Sequence, residues 1–281
     1  MEAFEIGDTV GVGVIVETCG ACNLCTTDDQ QQFCPKKTLT YGDAIKHNLV
    51  HTNSGNTFGG YSKKITVHER FVVKIPEKLP LHVAAPLLCS GAAAYSALKH
   101  FGAAAGGKRI GVLGIGGLGQ MTVKLAVAMG NQVTAISSTA NKKKACKAMG
   151  AMHFVLSTDS GAMEDAAGSL DVLLDTSSAP HQCSDYMSLL AHNGTFVNLG
   201  TNTEVQKTDL GLLESRRLTV GGSRHAGHGE TQECVDFCTV KGIAPEVEVV
   251  AGEEKLQKVF EKLSAKNDSV KRFVLDIAAT F

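Results

Sequence analysis

The stretch GGKRIGVLGIGGLGQMTVKLAVAMG, residues 106–130, decides the fold. "RIGVL" is a short apolar run bounded by glycines, the texture of a buried strand. "GIGGLG", residues 114–119, follows at once and opens a helix. Such a glycine pattern alone is weak evidence, but between a strand and a helix each glycine has a task. Gly114 allows the tight turn, Gly116 lets the backbone approach a pyrophosphate, and Gly119 lets the helix pack closely on the strand. Ile115, Gly117 and Leu118 complete the loop. The pyrophosphate sits at the helix N-terminus, where unpaired N–H groups and the helix dipole favour negative charge.

Downstream, the strands "QVTAISS", "HFVLS", "VLLDT", "GTFVNLG" and "RLTVGGS" alternate with helical stretches such as "ANKKKACKAMG". Nearly continuous apolar strands alternating with helices predict an α/β fold with a doubly wound parallel sheet. Upstream, residues 1–88 hold short β-type runs, "GDTVGVGVIV", "GGYSKKITV" and "RFVVKI", separated by turn residues. The expected domains are a β-rich region over 1–89, a dinucleotide-binding domain over 90–227, and a mixed tail over 228–281. The tail is read as helix, strand, helix, strand, ending in "RFVLDIA".

The end of the second sheet strand discriminates between cofactors. An NAD site usually places Asp or Glu there, which accepts from the ribose 2′-OH and repels a 2′-phosphate. This strand ends "ISSTANKKKA", with no acid. Ser137, Ser138 and Thr139 offer hydroxyl donors, and Lys142 offers cationic charge to a phosphate. Lys143 and Lys144 are read as a solvated helix face. The expected cofactor is NADP(H).

A second motif lies near the start, in "VETCGACNLCTTDDQQQFCPK", residues 16–36. Cys19, Cys22, Cys25 and Cys34 follow the pattern C-x2-C-x2-C-x8-C. Four thiolates close a tetrahedral zinc site with no open position, so the expected role is structural. A redox C-x-x-C pair would need a thioredoxin-like context, which is absent here. The nine cysteines are an odd number without a secretory signal, and clustered thiols in a reducing compartment favour metal over disulfides. The 281 residues are 43% hydrophobic and 20% charged, with a net charge of -1. That balance gives no reason to expect nucleic acid or an anionic membrane as partner. No apolar run is read as long enough to span a membrane, and the expected location is the cytoplasm.

The four-cysteine lobe, "GGYS", "APLLCSGAAAYSALKHF", "GVLGIGGLGQM" and "ISST" together resemble the zinc-dependent medium-chain dehydrogenases. Within them the chain is most similar to the cinnamyl alcohol dehydrogenase branch, over essentially its whole length. The resemblance implies a GroES-like domain carrying the cysteine lobe, a Rossmann domain, a return of residues 228–281 to the first domain, and reversible reduction of an aldehyde to a primary alcohol by NADPH. It also implies a homodimer joined through the edge strand "RRLTVGGS". Thr176, Gly200 and Ser223 would line the nicotinamide half of the groove.

Such enzymes use a second, catalytic zinc, held by an early Cys, a Gly-His-Glu motif and the Cys of "PLLC". Only Cys89 matches. The chain opens at the family's "FEIGDTVGVG" segment, so it is expected to be truncated and catalytically impaired as given. The last cysteine gap is x8 where the family usually has x7, and Ala93 stands where relatives often have Thr. His47, His51, His68, His100, His225 and His228 are not nominated by spacing as substitute ligands. The alternatives are a non-catalytic NADPH-binding protein and a zinc-independent quinone reductase. The retained four-cysteine lobe speaks against the second.

Overall fold

The computed structural model describes residues 4–27, 29–47, 50–51, 55–202, 205–264 and 271–281. The chain divides into two compact units, residues 93–224 and residues 1–92 together with 225–281.

In the unit formed by residues 93–224, six strands make one parallel sheet. They are β1 (Arg109–Leu113), β2 (Gln132–Ser137), β3 (His153–Leu156), β4 (Leu170–Asp175), β5 (Leu190–Asn198) and β6 (Thr219–Gly222). The spatial order is β3-β2-β1-β4-β5-β6. The connecting helices include α1 (Gly117–Ala128), α2 (Lys143–Ala148), α3 (Ser160–Asp165), α4 (Ser184–Met187) and α5 (Leu210–Arg216). Helices on both faces explain why the strands read as apolar runs: Ile110, Val112, Ile136, Leu173 and Leu174 are all buried. One part of the core gathers Ile136, Leu170, Leu173, Met187, Leu189, Phe196 and Leu218. Each fully buried aliphatic side chain contributes roughly 1.5–3 kcal/mol. The strand order reverses between β1 and β4, and the glycine turn leaves β1 at this switch point, where open α/β sheets bind their ligands.

The other unit is built from short strand pairs. Val10–Val12 pairs antiparallel with Val72–Lys74, Ile15–Glu17 with Thr38–Leu39, and Tyr41–Ala44 with Asn56–Phe58. Val247–Val250 and Arg272–Leu275 run parallel. Helix α6 (His228–Lys241) docks beside the strand Val72–Lys74. There the Gln232 side chain accepts from the Lys74 N–H at 2.8 Å and donates to the Lys74 carbonyl at 3.0 Å. It completes a strand edge as a further backbone would.

One sequence expectation is corrected. The helical stretch Leu81–His100 has the length and apolar composition of a membrane span, at a mean hydropathy of 1.4. More than half of it is buried inside the protein, at 56%. Within this stretch Pro86 has no N–H to donate, and the helix widens to a π turn over Leu87–Gly91. Cys89 lies on that turn, exposed.

Candidate functional site

The glycine turn is held against the loop that follows β4. Gly114 takes φ +83°, and a Cβ there would come within 2.9 Å of Ser177. At Gly119 a Cβ would strike the Gly114 carbonyl oxygen, so helix α1 approaches the turn more closely than any side chain permits. Gly116 differs: it faces open space, leaving its backbone accessible. Gly116 caps α1, which begins at Gly117. Ile115 is buried and anchors the turn, while Gly117 and Leu118 lie in the first turn of the helix. Thr176 is buried, and its hydroxyl lies 3.0 Å from the Leu113 carbonyl and 2.5 Å from that of Gly114. Gly200 approaches the Ser177 carbonyl, and the Ser223 N–H donates to Asn198 at 3.0 Å.

At the end of β2, Ser137 is buried and its Oγ accepts from the Thr139 N–H at 3.2 Å. Ser138 is exposed and Thr139 half-buried. Lys142 is partly covered where Lys143 and Lys144 are exposed. The structure thus gathers the predicted glycines and Thr176 at the end of β1, with the Ser/Thr/Lys group at the end of the adjacent β2.

The four clustered cysteines converge. Their sulfurs all lie within 4.8 Å of one another, and they are the one group of its kind among the described residues. Cys22 opens a single helical turn, Asn23–Thr26, in which the Cys25 N–H donates to Cys22 at 2.8 Å. The turn Gln31–Phe33 then reverses the chain and delivers the buried Cys34. Sulfur separations of 3.5 Å (Cys22–Cys25), 3.6 Å (Cys19–Cys34) and 3.9 Å (Cys19–Cys25) result. Zinc–sulfur bonds of about 2.3 Å put tetrahedral sulfurs about 3.8 Å apart, so the donor set fits zinc. The N–H groups of Ala21 and Cys22 pull the Cys19 thiol down to about 6. Burial, with the neighbouring thiols, pushes Cys22 up to about 12. Four thiols this close ionise together only around a cation.

Cys89 stands apart. No group of three or more Cys, His, Asp or Glu side chains among the described residues includes it. His47 faces the Lys36 carbonyl at 2.9 Å, His68 accepts from the Arg70 N–H, and His228 faces the Val72 carbonyl at 2.7 Å. His100 packs edge-on against Phe101. The His51 side chain lies outside the description. The described residues therefore do not make up a catalytic zinc site.

Sequence reading missed Asp175, the buried last residue of β4, and half-buried His181 in the loop that follows, with His181 Nε2 2.8 Å from Asp175 Oδ2. Nothing in "DTSSAPH" marks them as a pair.

A switch-point glycine turn in this strand order marks a dinucleotide-binding domain, and the four-thiol lobe of the same chain marks a metal site. The family described as "Zinc-binding dehydrogenase" matches residues 117–240, and "Alcohol dehydrogenase GroES-like domain" matches residues 1–77. A probable mannitol dehydrogenase of Medicago sativa is 39% identical over 282 residues, covering 100% of this chain and 76% of that protein. A cinnamyl alcohol dehydrogenase structure from Sorghum bicolor superposes with a TM-score of 0.92 at 36% identity, over 100% of this chain and 78% of that one. The corresponding enzyme of Helicobacter pylori, solved with NADP(H), gives 0.86 at 32%, with the same coverage. The chain belongs to the zinc-dependent medium-chain dehydrogenases, in their cinnamyl alcohol dehydrogenase-like branch, and has their GroES-like and Rossmann-type folds.

Proposed function

We propose that the chain is an NADP(H)-dependent alcohol dehydrogenase that interconverts a small aldehyde and its primary alcohol, in the cytoplasm. The carrying observation is the end of β2, which has no carboxylate and presents Ser138, Thr139 and a partly covered Lys142. In this reading their hydroxyls and ammonium hold the 2′-phosphate through charge-assisted bonds. The N–H groups at Gly116 and Gly117 receive the pyrophosphate. The Helicobacter pylori relative, solved with NADP(H), supports the choice.

The bound nicotinamide supplies or accepts the hydride. Cys19, Cys22, Cys25 and Cys34 hold zinc, and a closed site of four thiolates shapes its lobe rather than touching substrate. Cys89 occupies the family's catalytic-metal position but has no partner ligands among the described residues. The same observation favours a second reading, an NADPH-binding protein without turnover.

Aldehyde-dependent oxidation of NADPH separates the two. Losing one electrophilic stabiliser costs roughly 10²–10³ in rate. The expected result is slow oxidation of NADPH by cinnamaldehyde or simple aldehydes, changed little by Cys89→Ser. No aldehyde dependence at all would support the second reading. A rapid rate abolished by Cys89→Ser would show that Cys89 acts with ligands outside the described residues.

A further inference from the structure

At the end of β4, Asp175 is only 3% exposed, and its two oxygens are engaged in different directions. Oδ1 accepts the Ser177 N–H at 3.0 Å, and Oδ2 lies 2.8 Å from His181 Nε2. The other ring nitrogen of His181, Nδ1, lies 2.7 Å from the Ala179 carbonyl oxygen. A carbonyl only accepts, so Nδ1 carries a proton. On the other side, either Nε2–H donates to the carboxylate or a protonated Asp175 donates to Nε2. Two facing lone pairs at that distance repel. Both satisfied arrangements therefore hold one proton more than a neutral imidazole beside an ionised carboxylate, and the proton belongs to the pair.

The pair fixes the residue that spaces the groove. Ser177, tied to Asp175 Oδ1, is wedged between Gly114 and Gly200, and neither glycine has room for a Cβ beside it. The Asp175 carbonyl also accepts from the N–H groups of Leu199 at 2.8 Å and Gly200 at 2.9 Å. The turn after β1 and the turn after β5 are thus both set against one short segment.

We propose that Asp175 and His181 form a proton-holding strut that sets the spacing of the dinucleotide groove, coupling cofactor affinity to one proton on the pair. The inference rests on the cofactor reading above and deepens it. Both are positioning residues, acting through Ser177 on the glycine turn.

The electrostatics agree. Burial pushes the Asp175 carboxyl up, against the pull of the Ser177 N–H and His181. Burial opposes charge on His181, but the Ala179 carbonyl, Asp175 and Asp185 outweigh it and hold its pKa above the ordinary value. Among the described residues, the titratable groups facing His181 are Asp175 from β4 and Asp185 and Tyr186 from α4. The Tyr186 ring stands edge-on at 5.6 Å. Asn202 and Gln206 donate to the His181 carbonyl and hold the backbone in place. Because the imidazolium pKa is raised, the strut is intact below that value and lost as pH rises through it.

The test is NADPH titration of the full chain from about pH 7 to about pH 9.5, where a phosphate of second pKa about 6 is already ionised. Nitrogen NMR of the His181 ring in cofactor-free protein accompanies it. The ring-nitrogen signals should report one proton lost from the pair, with Nδ1 remaining protonated, at a midpoint shared with about a tenfold fall in affinity. In Asp175→Asn the new amide can accept from Ser177 and donate to a neutral imidazole, so the pH profile should flatten. Asp175→Ala should weaken binding at every pH. Normal NADPH binding with ring-nitrogen signals that do not change across this range, or with coincident wild-type and Asp175→Asn profiles, would overturn the coupling alone. No NADPH binding at any pH would overturn the cofactor reading and the coupling together.

Discussion

Cys19 and Cys22 show at the scale of one side chain why the cysteine lobe calls for a cation. Backbone N–H groups hold one thiol down near 6, while burial and neighbouring thiols drive the other up to about 12. Zinc binding must displace the remaining protons, so acidification should release the metal. Elemental analysis should give about one zinc per chain, and Cys22→Ser should lose it and destabilise the lobe. Two tightly held zincs would show a second site completed by residues outside the described set. The lobe was legible in the sequence because its four donors lie within sixteen positions. The Asp175–His181 pair was not, because its meaning depends on which ring atoms face which acceptors.

At the scale of elements, the strands of the parallel sheet were legible because burial on both faces writes itself as an apolar run. The two-residue strands Thr38–Leu39 and Val50–His51 were not, since their pairing depends on distant partners rather than local pattern. The edge strand β6 shows a finer limit. Leu218 and Val220 look alike in "RRLTVGGS", yet Leu218 is buried in the core and Val220 is 44% exposed. The Ser223 N–H points to β5, so by the twofold strand repeat those of Val220 and Gly222 point outward. We propose that a second copy of the chain pairs along this edge, which would otherwise invite aggregation. Sedimentation should show a dimer at micromolar concentration, and Val220→Pro, lacking the outward donor, should sediment as a monomer. A wild-type monomer would refute the pairing.

For the molecule as a whole, the class was legible and the substrate was not. The glycine turn, the cysteine lobe and the end of β2 are local motifs, whereas a substrate pocket is assembled from separated segments. Relatives named for cinnamyl alcohol and for mannitol share this fold at similar identity, so the fold alone does not choose between them. The proposed 2′-phosphate site is different: its chemistry lies in one short run, residues 137–142. The central claim, that this is an NADP(H) enzyme, is tested most directly by fluorescence titration of the chain with NADPH and with NADH. One or two charge-assisted bonds predict at least about a tenfold preference for NADPH. Lys142→Ala should weaken NADPH and leave NADH nearly unaffected. Equal affinities for the two cofactors would contradict the account.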